Sequence, residues 1–427
     1  MRKKIFVCLF LFFLVFLDPF LINIPIGPLH VTFLRIVLVL FGLYLFIKYV
    51  LLFNPLQIQP IKPALVFLIG WFLYGAISIL WATNKVEGIK ELYYFGVFIL
   101  LVFSIVETLD RKDLLKWINY SFILIGIVTI VLSLLELAFD FHLSTSRYVI
   151  EADTYGGLGL RVATAFFYNE NDLSLFLVMI TPFFLIQFRK YGIQLFILGL
   201  IFFIMFMNGS RIAILAFLFQ ILIFLFMLYR THLVNFLKFL LIFTPLFIGV
   251  VLYFSGDIVD KIIEITGIAA HGSTSARINL ILTGINSILD SFLFGVGAGN
   301  FQFHVNGLYD TNGIVNPHNW WLEVSTNYGV DVFVFYLAFL IFLFRKLWQI
   351  YKQNNEASLL AFCLLLSYVG FVIACIGPSR LFYFWPMWLL YGATLAFINA
   401  TNQKEGHVKD FTQHSKIKPR KIDLIKE

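Results

Sequence analysis

Long apolar runs that recur along the chain constrain this sequence more than any other feature. A helix needs roughly 18–20 apolar residues to cross the hydrocarbon of a bilayer. Twelve segments approach that length, at about 5–24, 31–53, 63–81, 92–108, 117–139, 166–188, 191–207, 211–229, 234–254, 331–347, 357–376 and 380–399. The chain is 60% hydrophobic and 13% charged over 427 residues, with a mean hydropathy of +0.90. A soluble domain carries about 25% charged residues, so this chain has too little polar surface to cover a water-soluble globule. The alternating segments of about ten residues that mark a transmembrane barrel are absent. The expected fold is an all-α integral membrane protein of about twelve transmembrane helices. Residues 1–400 form one polytopic domain, and a basic tail follows over 401–427. Cys8, Cys363 and Cys375 all fall inside apolar runs and read as packing residues. The basic start, Arg2-Lys3-Lys4, precedes a run that ends in Asp18-Pro19-Phe20 rather than at a small-residue cleavage site, so it reads as an uncleaved first span.

Charge fixes the expected orientation. With the N-terminus in the cytoplasm, 22 of the 31 Lys and Arg residues fall on the inner side and 9 on the outer. The opposite orientation reverses that ratio and violates the positive-inside rule. Both termini are therefore expected in the cytoplasm, and the net charge of +7 points to anionic lipid rather than nucleic acid. Two outer segments are then long, from about Asp140 to Asp172 and from about Ser255 to Gly329. Long connections in compact proteins are functional or disordered. The second is not disordered in composition, because Ile278, Leu280, Ile281, Ile285, Ile288, Leu289 and Phe292 recur at helical spacing. Residues 276–291 read as an amphipathic helix on the outer membrane surface, inside a large outer loop of about 255–330.

The few outer basic residues carry the chemistry this pattern suggests. Arg211 follows Asn208-Gly209-Ser210 at the start of a span, and Arg277 follows Ser275-Ala276 at the start of the surface helix. A guanidinium donates two parallel hydrogen bonds to phosphate oxygens, and a helix N-terminus adds amide donors and partial positive charge. Snorkelling to lipid phosphates is the plain alternative. His318 lies in Asn316-Pro-His-Asn-Trp-Trp-Leu-Glu323. Imidazole is suited to removing a proton from a sugar hydroxyl near neutral pH, and Glu323 could orient it or bind acceptor. Spacing alone favours a helix cap, with Trp320 and Trp321 in the interfacial aromatic belt. Gly295-Val-Gly-Ala-Gly299 follows no buried strand, so it reads as a tight turn rather than a nucleotide loop. No zinc-protease or paired-cysteine pattern occurs, so neither metal nor cofactor is expected.

At these motifs the chain resembles the O-antigen ligase and polysaccharide polymerase superfamily of bacterial envelope glycosyltransferases. The matching features are Asn208-Gly-Ser-Arg211, Ser275-Ala-Arg277, Asp290 to Phe301, and Pro317-His-Asn-Trp-Trp-Leu-Glu323 with Tyr328-Gly329. Arg161 with Phe167-Tyr-Asn-Glu-Asn171 is a looser match, and the likeness covers about residues 160–375. The resemblance implies a metal-independent inverting transferase in the cytoplasmic membrane that uses an undecaprenyl-diphosphate-linked oligosaccharide as donor. Arg211 and Arg277 would bind the donor diphosphate, assisted by Arg161, and His318 would activate the acceptor, a glycan or a lipid. A flippase and a chain-length regulator are implied partners. Trp320-Trp321 departs from the family's more varied stretch, suggesting sugar stacking or belt anchoring. Polymerase is the leading expectation and ligase the alternative. A peptidoglycan polymerase of the shape, elongation, division and sporulation type would rest on an outer-loop acid instead. A lipid-linked oligosaccharide flippase would need ionisable residues in mid-span.

Overall fold

The computed structural model describes residues 2–27, 29–155, 161–187, 190–229, 273–305 and 307–402. The expected span at 234–254, the first part of the expected large loop and the tail beyond 402 lie outside the described residues. The described chain is almost wholly helical. Its long helices are α1 (Arg2–Leu17), α2 (Phe33–Phe46), α3 (Lys62–Ser78), α4 (Lys85–Thr108) and α5 (Lys116–Phe139). Two short turns follow, α6 (Arg147–Ile150) and α7 (Ala152–Tyr155). Then come α8 (Glu170–Gln187), α9 (Tyr191–Met207), α10 (Arg211–Tyr229), α11 (Ser273–Asp290), α12 (Trp320–Tyr351), α13 (Glu356–Ala374) and α14 (Trp385–Asn402). A small antiparallel hairpin, β1 (Asn23–Ile26) with β2 (Leu29–Thr32), joins α1 to α2.

Seven helices among the described residues are long and apolar enough to cross a membrane, and Tyr191–Met207 is apolar but shorter. The expectation of about twelve is therefore not met by length and apolarity alone. The reasons are local. The first segment, expected over 5–24, stops at Leu17 because Pro19 lacks the N–H that a helix interior needs, and the chain turns into the hairpin. Helix α12 is broken at Gly329, whose φ of 83° and ψ of 172° are not helical. The last segment, expected over 380–399, begins only at Trp385, which leaves Arg380 in a loop. Many large apolar side chains on these helices face outward, among them Leu40, Leu43, Val66 and Ile341. Exposed apolar surface on that scale requires a lipid cover, and the chain is a multi-pass membrane protein. Hydroxyls inside the helices bond back to their own backbone, as Thr108 does to Ser104 O (2.6 Å) and Thr129 to Ile125 O (2.8 Å). Such back-bonding satisfies polar groups where no water can.

Alternate helices run in opposite directions, so their ends sort into two faces. At one face Lys4 pairs with Asp110 (2.6 Å), Lys48 pairs with Glu107, and the Asn399 side chain donates to Gln57 O (2.9 Å). At the other face the starts of α4, α8, α10 and α12 meet the ends of α3, α9 and α13. Between α3, α4, α12 and α14 lies an aromatic core of Trp71, Phe95, Trp320, Tyr336, Trp388 and Tyr391. Trp320 Nε1 donates to the Tyr336 hydroxyl (2.8 Å), which bonds in turn to that of Tyr391 (2.6 Å). Trp320 is 1% exposed, so it serves neither the aromatic belt nor sugar stacking.

The glycine segment closes the site face from behind. Val296 N donates to Thr326 O (2.8 Å) and Gly297 N to Asn327 O (3.0 Å), so the segment pairs with the break in α12. A Cβ on Gly295 would fall 2.4 Å from Gly329 N, and both residues have positive φ, so two glycines are needed where the backbones touch. Helix α11 turns Ala276, Leu280, Thr283 and Ser287 inward and leaves Ile278, Ile281, Ile285 and Leu289 exposed. It packs against α12.

Candidate active site

Three chain segments converge at the start of α8. The Asn169 side chain caps this helix by accepting the N–H groups of Asn171 and Asp172, both at 2.9 Å. Its amide reaches the Ser379 hydroxyl (3.4 Å) in the loop between α13 and α14. Gly209, with φ of +60°, lets α9 turn directly into α10. Asn208 accepts from Ala163 N (2.8 Å) and donates to Glu170 O (3.3 Å), and Ser210 Oγ donates to Asn171 Oδ1 (3.1 Å). The Asn-Gly-Ser sequence is thus a tie between helices, and it places Arg211 as the first residue of α10.

Arg277 is the fifth residue of α11, which begins three residues earlier than the expected 276. Burial pushes its guanidinium down from its ordinary value, and the positive charge of Arg211 adds to that push. The two guanidinium groups are therefore close enough to repel. No carboxylate among the described residues pairs with Arg277. A half-buried cation beside a second cation is a place that an anion stabilises.

His318 is held in a left-handed backbone conformation (φ +46°), with its N–H donating to Ser379 O (3.1 Å). Burial first and the charge of Arg277 second push the imidazole down to about 4, against a hydrogen bond to the Gly377 backbone; Arg147 adds a further push. The ring is neutral at physiological pH, and its Nδ1 is buried without a hydrogen-bond partner among the described residues. An unprotonated, unpartnered ring nitrogen can accept a proton. The cap of α12 is made by the next residue instead: Asn319 Oδ1 accepts from Trp321 N (3.0 Å) and Leu322 N (3.4 Å).

The structure thus brings Arg211, Arg277 and His318 together. Glu323 is directed elsewhere. It is 1% exposed and accepts from Leu381 N (2.8 Å) and Phe382 N (3.4 Å), which makes it a support for the 375–384 loop. Arg161 is exposed, just ahead of a turn in which Glu136 accepts from Thr164 N (2.6 Å) and Ala165 N (2.7 Å). Two further arginines at this face were not singled out by the motifs. Arg147 lies close enough to act on His318 and pairs with Glu170 (2.5 Å). Arg380 pairs with Glu87 and Glu91. A sequence signal for the second did exist, because Ser379-Arg380 ahead of a span repeats the Ser210-Arg211 arrangement.

Comparison with known proteins bears on this geometry. Residues 196–337 match the family model described as O-Antigen ligase, an interval that holds Arg211, Arg277, His318 and Glu323. The Teichuronic acid biosynthesis protein TuaE of Bacillus subtilis (strain 168) is 28% identical over 365 residues, covering 79% of this chain and 72% of that protein. Motif resemblance, helical membrane architecture and the matched interval agree: over residues 196–337 the chain is similar to the O-antigen ligase family.

Proposed function

We propose that this chain is a metal-independent, inverting glycosyltransferase that polymerises undecaprenyl-diphosphate-linked oligosaccharide at the outer face of the cytoplasmic membrane. The observation that carries the reading is the meeting of two guanidinium groups with a neutral imidazole whose Nδ1 has no hydrogen-bond partner among the described residues. Arg211 and Arg277 hold the donor diphosphate, aided by the amides at the starts of their helices. The acceptor hydroxyl attacks the anomeric carbon from the side opposite the diphosphate. The glycosidic C–O bond forms as the bond to the diphosphate oxygen breaks. The electron pair leaves with the lipid diphosphate, which the arginines stabilise, and the hydroxyl proton passes to His318 Nδ1. The outward orientation is supported by the basic side chains Lys4, Lys48, Arg111, Lys112 and Lys116, which crowd the opposite end of the bundle. A flippase that delivers the donor and a regulator of chain length fit this role as partners.

Transfer to a separate lipid or protein acceptor is the second reading, favoured by the description of the matched family as a ligase. Substitution of Arg211, Arg277 and His318 by alanine, with polymer length measured on lipid-linked repeats, tests the assignment. Each variant is expected to leave short, unextended repeats. Full-length polymer from all three would refute it, and loss of export with normal chain growth would indicate a flippase. Normal lipid-linked polymer that fails only to reach its final acceptor would select the ligase reading.

A further inference from the structure

We infer that Arg380 is a positioning residue: its ion pairs with Glu87 and Glu91 fix the loop whose backbone holds His318 with Nδ1 unpartnered among the described residues. The inference rests on the assignment of His318 as the base. Arg380 Nη2 donates to Glu91 Oε2 (2.9 Å) and Nη1 to Glu87 Oε1 (3.3 Å), and the guanidinium lies 4.7 Å over the Tyr383 ring. The second oxygen of Glu91 accepts from the Tyr328 hydroxyl (2.6 Å), which links the pair to α12 just before its break. Glu91 has no exposure, and a buried carboxylate keeps its place only while its charge is matched.

The loop pinned by Arg380 touches the proposed base twice and the start of α12 once. Ser379 O accepts the His318 N–H (3.1 Å), Cys375 O accepts the Trp320 N–H (3.1 Å), and the Gly377 backbone bonds to the imidazole. Glu323 clasps the far side of the same loop through Leu381 N and Phe382 N. His318 itself is a non-glycine residue in the left-handed region, a conformation that persists only where its surroundings impose it. Cutting the Arg380 anchor frees the loop, and the ring loses its imposed orientation while the donor arginines on α10 and α11 keep theirs. The effect belongs to the proton-transfer step rather than to donor binding.

The test uses the full chain in lipid nanodiscs, with donor extracted as lipid-linked glycan from cells that lack this protein. Initial rates are measured against donor concentration and normalised to folded protein. Arg380→Ala is expected to lower kcat roughly tenfold to a hundredfold, the scale of a base displaced by about 1 Å, with KM within about twofold of wild type. Arg380→Lys, which reaches one carboxylate rather than two, is expected to recover part of that loss. Because Arg380→Ala strands Glu91, the double variant Arg380→Met/Glu91→Gln removes both charges and keeps the protein folded. Wild-type kcat in both the alanine and the double variant, or a rise in KM alone, would overturn the inference. A wild-type protein indifferent to His318→Gln would overturn the base assignment and this inference with it. Sensitivity to His318→Gln with indifference at Arg380 would overturn this inference alone.

Discussion

His318 shows how a single residue takes its chemistry from its neighbours. Burial and the charge of Arg277 push its imidazole down to about 4 from an ordinary value of 6.5. Between those two values the folded chain binds fewer protons than the unfolded one, so stability rises with pH across that window and is level above it. The loss on acidification is on the order of 3 kcal/mol for a shift of this size. Thermal unfolding between pH 4 and 7 should show the decline, and His318→Gln should flatten it. Activity carries a second signature. A bound diphosphate cancels the repulsion from Arg277 and lets the imidazole rise towards its ordinary value. The acidic limb of kcat, which reports the donor complex, should therefore lie at higher pH than that of kcat/KM, which reports the free enzyme. Coincident limbs would show that no anion sits beside Arg277 during turnover.

At the scale of elements, the break in α12 determines how the site face is closed. Gly329 carries a φ of 83°, and a Cβ there would fall 2.5 Å from Leu293 O, in the turn that pairs with the break. Gly329→Ala should cost about 1–3 kcal/mol from backbone strain, with the steric overlap added to it. Gly192→Ala, within α9 and with open space around its Cβ position, should unfold with the wild-type protein. Comparison of their melting temperatures in the same lipid checks both. Asn319 is a milder case. Its side chain caps α12 through two N–H groups, and Asn319→Ala should cost about 1 kcal/mol, read as a small drop in melting temperature.

For the whole molecule, the sorting of helix ends into two faces makes orientation measurable. Asn312 lies in the segment between α11 and α12 at the site face, and Asn54 lies between α2 and α3 at the other; both are exposed. In intact cells a membrane-impermeant maleimide should label Asn312→Cys and spare Asn54→Cys. The reverse pattern would place the site face in the cytoplasm and remove the proposed donor from reach. With Cys8 replaced by serine, the buried positions of Cys363 and Cys375 keep the background low.

The apolar runs were legible because a membrane helix reports its environment in one dimension, through length and lack of charge. For the same reason Arg211 and Arg277 could be picked out: a cation at a helix start, on the side that carries few cations, is conspicuous without a partner in view. The capping part of the Pro317–Glu323 motif was legible as well, although the cap is Asn319 and not His318. Tertiary structure alone decided the rest. Glu91 and Arg380 stand 289 positions apart, and no local pattern joins them. Trp320 and Trp321 are adjacent in sequence, yet packing against Trp71 and Tyr336 takes the first into the core. Glu323 sits near His318 in the chain and binds a loop that arrives from beyond α13. Sequence fixes what a residue can do chemically and how a segment meets lipid. Which side chains meet depends on how helices far apart in the chain pack, and that decided which arginines stand beside the imidazole.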